Sequence, residues 1–361
     1  MKKQLIRFCA GLLASIVLVG CVAYMGNMPN GKRTDGIFYE ASGIHPDAAL
    51  LMVNNRAVSA EEFLYWLAYD CDYLTARIGT VDFNQKVGDT MTYGQYAMND
   101  AESAVVLYEV VRQWAEAAGV TLTDKDQAAL NQQREQYVQY YGGEEGYAQQ
   151  LALMGISEEC FQRINETYFL YSRLSASYCS DGGALRPSDE EVAAFASQNA
   201  YYTVQPLYWT ISGDESADAA SRAQAEDFAQ QLKNAGDKES KYQELAALLA
   251  IETSEGGQTF SGSTLGEELT AAIAALGEGE VSDVVETDGG YYVFLRKPVD
   301  ASALLTAMFD SEVAQRRENA AVKYSSRYYS KLSVADFYSK LTEQRSAMSS
   351  TDASGDANNA G

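Results

Sequence analysis

The chain has 361 residues, with 27 Lys and Arg against 50 Asp and Glu, for a formal charge of −23 with its one histidine neutral. That length allows two or three domains with cores of their own, and an apolar content of 47% excludes a disordered acidic polymer. The charge argues against nucleic acid, since no cluster of Lys and Arg follows the N-terminus. The single histidine, His45, has no ligand set around it, so histidine triads and His-rich metal centres are excluded; neither a metal nor a cofactor is expected.

Lys2, Lys3 and Arg7 precede an apolar run from Cys9 to Val19, which ends in Leu18-Val19-Gly20-Cys21. A basic start, a short apolar stretch and small residues before a cleavage point form the pattern of a secretory signal. The run is short for a membrane span. Leu-Val-Gly-Cys also resembles a bacterial lipobox, which implies a signal peptide over 1–21 and lipidation of Cys21. The alternative is an ordinary signal or an uncleaved anchor. Two acyl chains on Cys21 would hold the chain on the extracytoplasmic face of a membrane. Cys71, Cys160 and Cys179 then remain, enough for at most one internal disulfide. Each falls on a helical pattern, where buried apolar packing is the expected role.

Residues 22–46 are rich in Gly, Asn, Pro and Lys without periodicity and are expected to form a flexible tether. A short strand over 50–53 and a turn at Asn54-Asn55 lead to Ser59, which with Glu62 makes a capping box. Phe63, Leu67, Cys71 and Leu74 then form one apolar stripe. The same capping signal recurs at Thr123/Asp126, Ser188/Glu191 and Ser333/Asp336. Further helices are expected over 100–118, before Gly119, and over 123–141, before Gly142-Gly143. Residues 47–199 thus read as a helical region. From Tyr201 the pattern changes: a strand over 202–211, helices over 217–235, 242–250 and 269–276, then strands over 281–286 and 291–296 around Asp288-Gly289-Gly290. This β-α-α-α-β-β order over 200–299 predicts a separate α+β domain. Helices return over 300–343, and the Ser/Ala/Asp/Asn/Gly-rich 344–361 is expected to be a disordered tail.

The segment Gly279-Glu280-Val281-Ser282-Asp283-Val284-Val285-Glu286-Thr287-Asp288-Gly289-Gly290-Tyr291-Tyr292 resembles the closing signature of parvulin-type (PpiC-type) peptidyl-prolyl isomerases. Gly262-Ser263-Thr264-Leu265-Gly266 is similar to that family's G-G-x-L-G loop, and the flanking helices resemble those of PrsA/SurA-type extracytoplasmic foldases. The resemblance implies an α+β chain: a mostly helical chaperone lobe built from both ends, carrying an inserted parvulin-like domain. It implies a peptidyl-prolyl cis-trans isomerase fold, with unfolded or newly secreted polypeptides as partners. Members of the family place two histidines across the site. Here one position holds Tyr292, the other falls at Tyr208 or Trp209, and Glu255 is the nearest carboxylate before the Leu265 loop, so the site reads as degenerate. The plainer reading of Trp209 and Tyr292 is core packing of a sheet.

The chain holds 25 tyrosines, many in the helical region. Tyr65, Trp66 and Tyr69 lie off the Phe63/Leu67/Cys71 stripe and are expected to be exposed, as a peptide-binding face. The rival to a foldase is a surface lipoprotein that serves as a binding or assembly module. Oligomeric state is not legible.

Overall fold

The structure, a computed structural model, describes residues 28–254 and 256–355. Cys21, Glu255, the signal segment 1–21 and the last residues of the expected tail lie outside the described residues. In chain order the first elements are α1 (Ile37–Ser42), β1 (Ala49–Val53), β2 (Arg56–Ser59), α2 (Ala60–Ile78), β3 (Lys86–Val87), β4 (Met91–Thr92) and α3 (Tyr93–Ala117). Next come α4 (Asp124–Tyr140), α5 (Glu144–Met154), α6 (Glu158–Cys179), α7 (Asp189–Gln198), β5 (Tyr201–Thr210), α8 (Glu215–Asn234) and α9 (Lys238–Leu248). The remainder is β6 (Gln258–Ser261), α10 (Gly262–Leu265), α11 (Glu267–Ala274), β7 (Val285–Thr287), β8 (Gly290–Lys297), α12 (Ala301–Glu318), β9 (Val322–Tyr324) and α13 (Val334–Gly355). The architecture is α+β. It divides into two compact units: one made of residues up to Leu174 together with those from Glu312 on, the other Ser175–Ser311.

In the first unit, β1 and β2 turn through Asn54 and Asn55, whose φ values of 50° and 67° are both left-handed. That is the type I′ geometry that matches strand twist, and Asn tolerates it. β9 pairs antiparallel with the other edge of β1, Leu51 opposite Tyr324 and Val53 opposite Val322. Helix α13 packs on α1, with the Phe38 and Phe337 rings 5.8 Å apart. Arg345 forks both oxygens of Asp72 at 2.9 Å, and the Tyr338 hydroxyl donates to the same carboxylate. The described residues before and after the second unit therefore close into one helical body. Its interior holds a buried ionic knot, where Glu62 of α2 accepts from Arg112 of α3 at 2.7 Å and Arg163 of α6 at 2.9 Å.

Several expectations are corrected here. The described part of the expected tether, residues 28–46, is packed: Ile37, Phe38, Ala41 and Ile44 are buried, and the Tyr328 hydroxyl donates to the Asn30 carbonyl. Its glycines and prolines mask an apolar helix too short to show a period. The described part of the expected tail continues helix α13 to Gly355. Strand β9 and the small β3–β4 pair lie in stretches read as helical.

The second unit begins well before residue 200. Val192 and Ala196 of α7 pack against Leu304, Leu305 and Met308 of α12 within it. Its sheet runs β6-β5-β8-β7, antiparallel throughout. The order is β-α-α-β-α-α-β-β, because Gln258–Ser261, in a stretch read as a loop, forms an edge strand on Tyr201–Val204. The expected strand at 281–286 is reduced to Val285–Thr287 plus a lone bridge between Val281 and Leu295. Ser282 explains the gap: its backbone N–H donates to the Phe294 carbonyl at 2.9 Å, and its Oγ accepts from the Phe294 N–H at 2.9 Å. The side chain stands in for a missing ladder partner. Gly290 is required by close approach, since a Cβ there would lie 2.2 Å from the Trp209 carbonyl oxygen.

Candidate functional site

Strands β5 and β8 pair from Thr203–Lys297 to Thr210–Gly290, and residues directly opposite in an antiparallel pair share a face. Tyr208 stands opposite Tyr292, Pro206 opposite Phe294 and Val204 opposite Arg296. Trp209 stands opposite Tyr291 and Leu207 opposite Val293, on the other side. Register thus separates the two positions that sequence alone left open.

Trp209 belongs to the core beneath α8 and α9. Its ring meets Phe228 edge-on at 5.7 Å, and its Nε1 donates to Gln224 at 3.0 Å. Leu207, Tyr242, Leu245 and Val293 fill the same layer. As a site candidate Trp209 is set aside; its packing role is the one the structure gives it.

The opposite face carries Tyr208 at 50% exposure and a half-buried Tyr292, whose ring stacks on Phe294 at 6.1 Å with planes 9° apart. Around them Val204, Ile273 and Phe294 form a small buried cluster, with Phe260, Leu265, Leu269 and Val285 packed against it. Leu265, read from the loop signature, is therefore brought to the same apolar layer as Tyr292. At the far end the Arg296 guanidinium lies over the Tyr202 ring, 4.7 Å from its centroid. Its Nε and Nη1 are buried without a hydrogen-bond partner, and burial holds its pKa below the ordinary arginine value. Sequence reasoning missed Pro206, Phe260, Phe294 and Arg296. The period-2 rule would have found two of them, since Phe294 and Arg296 follow Tyr292 at every second position.

This face offers an aromatic floor for an apolar ring and two phenol hydroxyls at its open end. It holds no histidine. His45 sits in the other unit, its Nδ1 2.7 Å from the Arg33 carbonyl and its ring stacked on Tyr39.

The proposed peptide-binding aromatics of α2 divide. Tyr65 and Trp66 are partly buried between two apolar clusters, with Trp66 5.1 Å from the Tyr108 ring. The expected exposure is corrected for both, because α3 and the α5–α6 region pack on two sides of the helix rather than one. Tyr69 is 42% exposed and Tyr73 52%. Cys71, Cys160 and Cys179 are free thiols; burial among apolar groups pushes Cys160 up to about 12.

Residues 187–305 match the family model of the PPIC-type PPIASE domain, about a third of the chain. No curated protein matches the sequence. Among solved structures, the chain is similar to a peptidylprolyl isomerase (PrsA) from Bacillus anthracis, at 14% identity and TM-score 0.22, covering 66% of this chain and 95% of that one. It is similar to foldase protein PrsA from Streptococcus pneumoniae at 18% identity and TM-score 0.21, covering 73% and 94%. Foldase protein PrsA from Lactococcus lactis gives 14% identity and TM-score 0.26, covering 82% and 93%.

Proposed function

We propose that this chain, with a PPIC-type domain over residues 187–305, is an extracytoplasmic foldase that binds unfolded or newly secreted polypeptides. Lipidation at Cys21 would tether it to the membrane. The observation that carries the reading is the pairing of Tyr208 with Tyr292 on the open aromatic face of that domain. Secreted chains arrive unfolded, and X-Pro isomerisation takes tens of seconds or longer, so a protein that holds such segments meets a physical need.

The isomerisation barrier is about 18–20 kcal/mol and comes from amide resonance, so catalysis needs no covalent step. A site lowers it by binding the twisted amide better than the planar one. On this face the partly exposed Pro206 and Leu265 suit a proline ring, and the hydroxyls of Tyr208 and Tyr292 can donate to the amide as it loses conjugation. Two phenols do not reproduce a histidine pair, so the site binds prolyl segments and turns them over poorly. A protease-coupled prolyl-peptide assay on the full chain should give rates at least about a hundredfold below a histidine-bearing parvulin, roughly 2.7 kcal/mol in the barrier. Comparable turnover would refute the degenerate site. Suppression of aggregation of a denatured protein at near-stoichiometric amounts is the expected holdase result; its absence would favour a binding or assembly module.

A further inference from the structure

We infer that the helical body carries a binding site for a phosphate group in a cavity between the C-terminal end of α1 and the N-terminal end of α13. The cavity is about 320 Å³, the size of a small-molecule site. Its lining includes Arg327, Lys331 and Lys340, opposed by one carboxylate, Asp336. Among the described residues no ion pair within 4.0 Å engages any of the three cations. Lys32, Arg77, Lys86 and Lys125 of the same body share that state among the described residues; what sets these three apart is that they converge on one cavity. Elsewhere in the same body Arg112, Arg163, Arg173 and Arg345 are each held by a carboxylate.

Geometry supports an anion with several oxygens rather than a lone carboxylate. Arg327 is braced over the buried Tyr328 ring at 5.2 Å, which leaves its fork as the rigid donor of the set. Lys331 and Lys340 add mobile point charges, and Ser42 and Ser333 line the same space. Ser333 caps α13 by accepting the Asp336 N–H, so its own hydroxyl proton is available to a guest. The 22-residue helix starts there, and its unpaired N–H groups and dipole favour negative charge. Three cations against one carboxylate leave a net charge of +2, which suits a phosphate mono- or dianion, and donors from separate elements match its tetrahedral oxygens. The inference is independent of the prolyl-binding reading, which concerns the other unit.

Calorimetric titration of the full chain in neutral detergent tests it. Inorganic phosphate should bind at one saturable site against a sodium chloride blank of equal ionic strength. Lys331→Gln/Lys340→Gln should weaken that binding by about tenfold or more, and Lys125→Gln on α4 by less than about twofold. Two further arms identify the source of the phosphate. Tighter binding of dihexanoyl phosphatidylglycerol below its micellar concentration, with none for the phosphatidylcholine analogue, assigns the site to a lipid headgroup. Preference for inorganic phosphate or glycerol phosphate assigns it to a soluble one. No saturable heat with any phosphate, or equal affinity in the double variant, would overturn the inference.

Discussion

Strands β5 and β8 send Leu207, Trp209, Tyr291 and Val293 to one side of their sheet and Pro206, Tyr208, Tyr292 and Phe294 to the other. Both sets are aromatic, and both would pass as core by composition. On the first side α8 and α9 cover the sheet, and Trp209 finds a ring to pack on and an amide for its N–H. On the second side Phe294 is covered while Tyr208 stays half in solvent. The difference lies in which alternate residues the covering helices reach, so a shift of one residue exchanges an open face for a core.

The sharpest way to break that comparison is a pair of truncations. Trp209→Ala should cost about 3–5 kcal/mol of stability, by lost burial and a cavity, whereas Tyr208→Ala should stay within about 0.5 kcal/mol. Denaturant unfolding of the two variants measures both, and equal losses would erase the distinction between the faces. Gly290→Ala forces the two strands apart at the Trp209 carbonyl and should cost about 1–3 kcal/mol. Ser282→Ala leaves the buried Phe294 N–H without its acceptor, an expected loss of about 1–2 kcal/mol on the same scale.

The remaining comparison lies in the helical body and sharpens the contrast by its pH dependence. Burial, with Asp100 nearby, pushes Asp70 up to about 8. A carboxyl whose folded pKa is raised contributes stability that is complete below its unfolded pKa, near 4. That contribution is lost as pH rises towards 8. Asp70→Asn should therefore show a shallower fall in Tm between pH 5 and 8.5 than the parent chain. The two curves should diverge by up to about 1.4 kcal/mol per pH unit across that window. Parallel pH curves would contradict the burial assigned to Asp70.

Local signals were the ones legible in the sequence. The capping boxes at Thr123/Asp126 and Ser188/Glu191 form as read, because every partner lies within three residues. The α+β class and the hairpin around Asp288-Gly289 likewise follow from nearby residues. Pairings between distant residues were not legible. Strand β9 has three residues, and its partner β1 lies some 270 positions upstream; β6 is polar and rests on β5. Tyr65 and Trp66 were misplaced because a single stripe accounts for one wall of α2, whereas the helix has two. Tyr208 and Trp209 could not be separated until the register with β8 was known.

That register also permits the most direct test of the account. If Tyr208 and Tyr292 occupy the positions where parvulins place their histidines, Tyr208→His/Tyr292→His should raise protease-coupled prolyl turnover of the full chain by about tenfold or more, roughly 1.4 kcal/mol in the barrier. Trp209→His/Tyr292→His should give no gain. An unchanged rate in the first variant, or an increase in the second alone, would contradict the assignment of the open face as the prolyl site.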